Sequence, residues 1–242
     1  MSGGSAILGY MHGENNRIYK YFIYGVLLLV AVALVYNLQA RLGRKSALPR
    51  ELVAKEINEY EGEDLSSIND FRENSIKGPQ YVDRENYALK IKGLADGETS
   101  YSYDEVINNS QAYKKVVTLN CVEGWSVKIL WEGVLVKDLI NDKNISAGAN
   151  TVIFRAVDGY STSFPISYIL DNDIMMAYKM NGLELPPERG FPFQLVAESK
   201  YGYKWIKWIT EIEFSADENY HGYWESRGYS NDGSLEKSFF TD

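Results

Sequence analysis

Val117-Thr118-Leu119-Asn120-Cys121-Val122-Glu123-Gly124-Trp125-Ser126 holds the only cysteine of the 242-residue chain. Val116 to Leu119 is apolar and β-branched, the composition of a short buried strand. Gly124 then permits a tight bend. Cys121 thus sits where a strand passes into a loop, a common place for a reactive group on a rigid frame. Two readings stand at this point. One is a small buried hydrophobe, since unpaired cysteine is among the most buried residue types. The other is a reactive or ligating thiol.

The segments around it read as a strand-rich α+β chain. Upstream, Tyr87 to Ile91 alternates and stops at Gly93, and Tyr101 to Asn108 reads as a short helix capped by Ser100 or Ser102. Downstream, Val127 to Trp131 is a strand turning at Glu132-Gly133, and Val134 to Ile140 is helical. Thr151 to Val157 is a strand ending at Asp158-Gly159. Ile166 to Leu170 is a short helix or strand. Ile174 to Met180 is a strand closed by Asn181-Gly182, the best hairpin signal present. Phe193 to Ala197 and Trp205 to Phe214 read as further strands. Ala216 to Asp242 promises little regular structure.

Composition narrows the function. The net charge is −8, and the pI is about 5.0. Nucleic acid is excluded as a partner, because phosphate backbones require a basic face. One cysteine excludes an internal disulfide, an iron–sulfur cluster and a Cys-rich zinc site. The two histidines, His12 and His221, leave no haem or His-based metal site. A redox function here would rest on one centre, with electrons exchanged from outside.

The N-terminal region divides in three. Residues 1–20 are polar and read as a mobile tail. Residues 21–38 contain the uncharged run Tyr21 to Tyr36, with tyrosines near both ends, and are expected to form one transmembrane helix. No small-x-small cleavage site follows, so an uncleaved single-pass anchor is favoured over a signal peptide. Residues 39–66 are expected to be a linker or stalk, and 67–242 the globular domain. Arg41, Arg44, Lys45 and Arg50 outnumber Arg17 and Lys20, which points the globular part toward the cytoplasm. The absence of a twin-arginine pair agrees.

Several short motifs occur together from Ile68 to Asn231. They are Phe71-Arg72-Glu73-Asn74-Ser75; Cys121-Val122-Glu123-Gly124-Trp125-Ser126 with Trp131-Glu132-Gly133; Asp158-Gly159-Tyr160; and Met180-Asn181-Gly182 with Leu185-Pro186-Pro187-Glu188-Arg189-Gly190-Phe191-Pro192. Tyr201-Gly202-Tyr203-Lys204-Trp205-Ile206-Lys207-Trp208-Ile209 and Gly222-Tyr223-Trp224-Glu225-Ser226-Arg227-Gly228-Tyr229 complete the set. Their order and spacing resemble the molybdopterin-binding domain of the sulfite oxidase superfamily, including the catalytic subunit of protein-methionine-sulfoxide reductases.

The resemblance implies a mixed strand-rich fold and a molybdenum-dependent oxidoreductase with a Mo-pyranopterin cofactor. It implies that Cys121 ligates the metal as a thiolate beside two dithiolene sulfurs. A soft thiolate suits a metal already held by sulfur, and coordination keeps the thiol deprotonated. It implies cofactor contacts at Arg72, Asn74, Arg189, Gly202, Tyr203, Lys204 and Lys207, and a catalytic position for Tyr229. Lys207, between Ile206 and Trp208, is expected on the inward face of a strand shared with Trp205 and Ile209. Gln194 departs from the family, standing where methionine-sulfoxide reductases carry an arginine. Arg189 stands where many relatives have Asn or His, and can compensate.

The partners implied are a small-molecule or protein-sulfoxide substrate and a separate electron-transfer protein, a membrane cytochrome or a quinone-linked protein. Exported members of the resembled family place the domain on the opposite side of the membrane from the charge bias. The alternative function is a non-catalytic anchored binding or assembly module that keeps the fold.

Overall fold

The computed structural model describes residues 20–32, 48, 50–141 and 143–240. Residues 20–32 form helix α1, and its side chains are exposed. It belongs to one unit, Met1–Lys45, and the globular part to another, Ser46–Asp242. The expected tail over 1–19 and the second part of the expected span, 33–38, lie outside the described residues. Among the described residues no helix is long and apolar enough to cross a membrane.

The described part of the expected stalk, residues 48 and 50–66, lies with the globular unit. After α2 (Arg50–Val53) the chain lies on the globular unit. The Glu56 carboxylate, buried, accepts from Ser67 Oγ at 2.7 Å and from the Ile68 amide at 2.9 Å. Ile57 donates its amide to the Asn181 carbonyl at 2.9 Å. A short hairpin, β1 (Glu59–Tyr60) and β2 (Glu63–Asp64), follows.

Two five-stranded sheets carry the domain. The first contains β5 (Tyr113–Asn120), β6 (Ser126–Leu135), β9 (Met175–Met180) and β10 (Leu183–Glu184) in the order β10-β9-β6-β5, with β11 (Gln194–Val196) also pairing β9. The second contains β3 (Leu89–Gly93), β4 (Thr99–Tyr101), β7 (Thr151–Ala156), β8 (Ser161–Pro165) and β12 (Ile209–Ser215) in the order β4-β3-β12-β7-β8. Among the described residues only β3 and β12 pair in parallel. Helices α3 (Tyr103–Asn108), α4 (Val136–Leu139) and α5 (Ile166–Asp171) are short connectors. Ser102 caps α3 in a reciprocal capping box with Glu105.

Alternation explains which faces are buried. Leu89 and Ile91 on β3, and Ile209, Ile212 and Phe214 on β12, turn into one apolar core. On β5 the inward row is Val117 and Leu119. At period 2 the next position on that face is Cys121, just past the strand end. The hairpin at Asn181-Gly182 forms as expected, with φ of 45° and 78°.

Two expectations change. Glu132-Gly133 does not end a strand, because β6 runs on to Leu135 through a register shift there. Gly133 is needed at that point because a Cβ would lie 2.4 Å from the Met176 carbonyl oxygen. Trp205 to Trp208 is not strand; β12 starts at Ile209. The inward face proposed for Lys207 with Trp205 and Ile209 therefore does not exist, and Lys207 is half-buried by other means. The segment 216–240 is largely irregular as expected, and it is stitched to the second sheet and to the 199–204 segment by specific bonds. Tyr223 N donates to the Ser161 carbonyl, Tyr201 N to that of Gly233, and Leu235 N to that of Ser199.

Candidate active site

The Cys121 loop is a tight connection between β5 and β6, closed at the Asn120–Ser126 pair. The Cys121 amide donates to the Trp125 carbonyl at 2.9 Å, and the Gly124 amide donates to the Cys121 carbonyl at 3.1 Å. Gly124 sits at φ +81°, the left-handed region that glycine reaches without strain. The thiol is half-buried. Burial pushes its pKa up, offset in part by the backbone at Glu123 and by the Asn74 amide.

Asn74 comes from a segment far away in sequence. Its Nδ2 lies 3.6 Å from Cys121 Sγ. The segment is anchored by Phe71, whose ring meets Trp125 at 6.1 Å and Trp131 at 6.3 Å, both edge-on. Arg72 is exposed and forms no ion pair among the described residues, and its charge favours the thiolate. Side chains 72 and 74 thus serve the thiol, while Glu73 points elsewhere.

Glu73 Oε1 receives Lys207 Nζ at 3.1 Å. Lys207 also approaches the Glu188 carbonyl at 3.4 Å and stands 4.2 Å over the Trp208 ring. Burial lowers its pKa to about 8. Arg189, 2 % exposed, stacks its guanidinium 5.1 Å over the Phe71 ring and donates Nε to the Ile68 carbonyl at 3.1 Å. Burial lowers its pKa to about 10. Its Nη2, and the Oγ of Ser75 in the segment that carries Asn74, are buried without a partner among the described residues. A buried orphan donor calls for an acceptor the protein does not itself supply.

Trp208 marks this corner as unusual. Its φ is +54°, an outlier for a bulky residue. The indole Nε1 donates to the Pro187 carbonyl at 2.7 Å, which holds the residue in that conformation.

Lys204, expected to touch the cofactor, is used differently. It is fully buried, and its ammonium donates to Glu225 Oε1 at 2.8 Å, the Ser163 carbonyl at 2.8 Å and the Asn231 carbonyl at 3.0 Å. Those three bonds exhaust its donors. Gly202 and Tyr203 lie in a single 3-10 turn, Gly202–Lys204. A Cβ on Gly202 would sit 3.2 Å from Leu119 Cδ2 and 3.7 Å from Cys121 Cα, so this turn packs on the Cys121 loop. Tyr203 donates its hydroxyl to the Ser230 carbonyl at 2.7 Å.

Tyr229 is half-buried in an aromatic cluster with Tyr203, Trp224 and Phe240, at centroid distances of 5.1, 5.1 and 5.3 Å. Its hydroxyl has no hydrogen-bond partner among the described residues. Gln194 is buried on β11. The structure therefore gathers Arg72, Asn74 and Cys121 at one end and Arg189 and Lys207 at the other, bridged by the segment 71–75. Gly202 and Tyr203 pack beside the thiol loop, Tyr229 lies behind Tyr203, and Lys204 is a strut. Glu73 was missed in the sequence; an acid between two residues aimed at one sulfur was the available signal.

The donor set bears on which metal fits. Among the described residues no group of three or more His, Cys, Asp and Glu side chains stands ready for an ion. One thiol with an amide beside it cannot satisfy a bare cation, but it suits a metal that arrives with its own sulfur ligands. The orphaned Arg189 Nη2 and the half-satisfied Lys207 suit an anionic group on that same arrival.

A strand-rich α+β domain with one thiol at a loop mouth and a separate cation corner defines a cofactor-dependent class. The family described as the oxidoreductase molybdopterin binding domain matches residues 76–224. The chain belongs to that family, and it is a molybdenum-dependent oxidoreductase domain of the sulfite oxidase-like superfamily. It is 34% identical over 152 residues to the uncharacterized oxidoreductase YuiH of Bacillus subtilis, covering 62% of this chain and 76% of that protein. It is 28% identical over 173 residues to the protein-methionine-sulfoxide reductase catalytic subunit MsrP of Xanthomonas campestris, covering 63% of this chain and 54% of that one. The sulfane dehydrogenase SoxCD of Paracoccus pantotrophus shares the fold, with a TM-score of 0.56 at 18% identity over 64% of this chain and 43% of that one.

Proposed function

We propose that this domain carries one mononuclear molybdenum centre, with Cys121 as its single protein ligand, and transfers an oxygen atom to or from a sulfoxide- or sulfite-type substrate. The observation that carries the reading is the Cys121 mouth: a lone half-buried thiol faced by the Asn74 amide and by Arg72, with no ion pair on Arg72 and no competing metal-ligand cluster among the described residues. When bound, the cofactor supplies a redox-active metal and two dithiolene sulfurs.

The chain's own residues do the rest. Asn74 and Arg72 favour the thiolate form of Cys121. Arg189 and Lys207 offer charged donors to the cofactor's anionic end, with Gly202 and Tyr203 packing against the thiol loop. Tyr229 is the family's candidate beside the metal; here it reaches that region through Tyr203. Arg72, exposed at the mouth, is suited to draw in an oxyanion or a polarised S–O group.

Electrons are exchanged with a separate partner, a membrane cytochrome or a quinone-linked protein, since the sequence provides no second centre. Anchoring by a single pass through residues 21–38 would keep the domain beside such a partner. The uncharged run Tyr21 to Tyr36 and the exposed side chains of α1 support it.

Molybdenum and pterin measured in the purified full chain, made in a cofactor-competent host, test this reading. Near one equivalent is expected, falling below about one tenth in Cys121→Ser. A Cys121→Ser protein that keeps its molybdenum sinks the reading. Metal that binds but does not cycle between oxidation states leaves a binding module instead.

A further inference from the structure

We propose that Glu73 is a positioning residue that ties the cation corner of the site to the Cys121 thiol. This rests on the reading above, in which Cys121 holds the metal and Lys207 faces the anionic end of the cofactor. Glu73 touches neither the sulfur nor Arg72's mouth; it acts through its neighbour Asn74.

The case begins with the backbone. Phe71 to Ile76 belongs to no strand or helix, and none of these residues takes part in a backbone–backbone hydrogen bond among the described residues. Such a segment has no ladder to fix its register. Side chains must hold it. Three do: Phe71 between Trp125, Trp131 and the Arg189 guanidinium; Glu73 on Lys207; and Asn74 on Cys121 Sγ.

Phe71 is a buried apolar anchor, but one anchor leaves the residues after it free to rotate. The second attachment, Glu73, is 13% exposed and meets a lysine that is itself a fixed post. Gly190, at φ +103°, presses its backbone against the Lys207 side chain: a Cβ there would lie 3.0 Å from Lys207 Cβ and Cγ. Trp208 lies under the ammonium and is locked by its own bond to Pro187. Asn74 is the next residue in the chain, so a Glu73 held on Lys207 limits where the Asn74 side chain can stand, and it stands at Cys121 Sγ. The tie is charge-assisted and largely screened from water, which is where such a bond orients most.

Because Cys121 is the only cysteine, alkylation by iodoacetamide of the full chain, made without cofactor, reports this one sulfur. Alkylation proceeds through the thiolate, which a donated hydrogen bond favours. Asn74→Ala is expected to slow it about fivefold, the equivalent of one hydrogen bond near 1 kcal/mol. Glu73→Ala should slow it by a comparable factor, and Glu73→Gln, which keeps an acceptor for Lys207, by less. The double variant Glu73→Ala/Asn74→Ala should be no slower than Asn74→Ala alone, because both changes remove the same contact.

A Glu73→Ala protein that alkylates at the unchanged rate while Asn74→Ala is slow overturns the proposal. So do multiplying effects in the double variant. Faster alkylation in Glu73→Ala also overturns it, since loosening of the fold exposes the thiol and acts in the opposite direction. Failure of the molybdenum reading shows separately, as an unloaded wild-type chain from the competent host, and leaves these cofactor-free rates as they are.

Discussion

Two lysines three residues apart, Lys204 and Lys207, meet the interior in opposite ways. Lys204 is fully buried, and every donor is spent on the protein. Lys207 keeps 16% of its side chain exposed and has one firm partner, Glu73, with a longer approach to a carbonyl. Burial lowers the pKa of both. The difference lies in what balances the charge. Lys204 is matched from all sides and fastens the 216–240 segment; Lys207 is left with donor capacity. Burial alone does not separate the two cations; the completeness of their partners does.

The comparison breaks first at Lys204. Lys204→Met leaves Glu225 buried without its cation, which is expected to cost about 3–5 kcal/mol. Thermal unfolding would read it as a large drop in midpoint, with metal lost only as the fold is lost. A variant that stays as stable as wild type would show that the pair is not a strut.

At pH 7, Lys207→Met should change stability by no more than about 1–2 kcal/mol, since it removes a tie and a costly buried charge together. Its molybdenum content is expected to fall on the order of tenfold, about 1.4 kcal/mol of binding. The pH dependence carries a sign. The folded value is lowered to about 8, so between about pH 8 and the ordinary lysine value the unfolded chain binds more protons. The penalty is full below pH 8 and fades above it. Wild type should gain up to about 3 kcal/mol on Lys207→Met between pH 7 and 10, while cofactor retention weakens over the same range. Parallel stability curves for the two proteins would contradict this.

The smallest effect belongs to the turn before them. Gly202→Ala places a methyl 3.2 Å from Leu119 Cδ2 and 3.4 Å from the Asn120 carbonyl oxygen. About 1 kcal/mol is expected, with a small change in cofactor content. An effect as large as that of Lys204→Met would mean the turn, not the ion pair, carries the support.

The same stretch shows how far sequence reading reaches. The Cys121 loop and the Asn181-Gly182 hairpin were legible because their signals are local: a strand ending at a glycine, and a turn pair whose backbone angles only certain residues adopt. Trp205 to Trp208 was misread because its alternation is real but Trp208 is held in a left-handed turn by Pro187, a partner from another loop. Strand β8 was missed because Ser161 to Ser163 looks like a loop; Thr162 is buried because Glu225 receives its hydroxyl at 2.6 Å. The fate of Lys204 was hidden for the same reason, its carboxylate partner lying beyond any local window. Arg189 was legible as a cation out of family register, but not as one stacked on Phe71.

The parallel pairing of β12 with β3 has a kinetic meaning. β12 lies between β3 and β7, so the second sheet stays in two pieces until a strand from much later in the chain slots into its middle. Long-range insertion of this kind is slow, because loop-closure entropy is met before contacts repay it. The Lys204–Trp208 turn leads directly into β12, and the Arg72–Asn74 segment precedes β3. The insertion that closes the sheet also seats the turn carrying Lys207, whose partner Glu73 lies in the segment leading to β3.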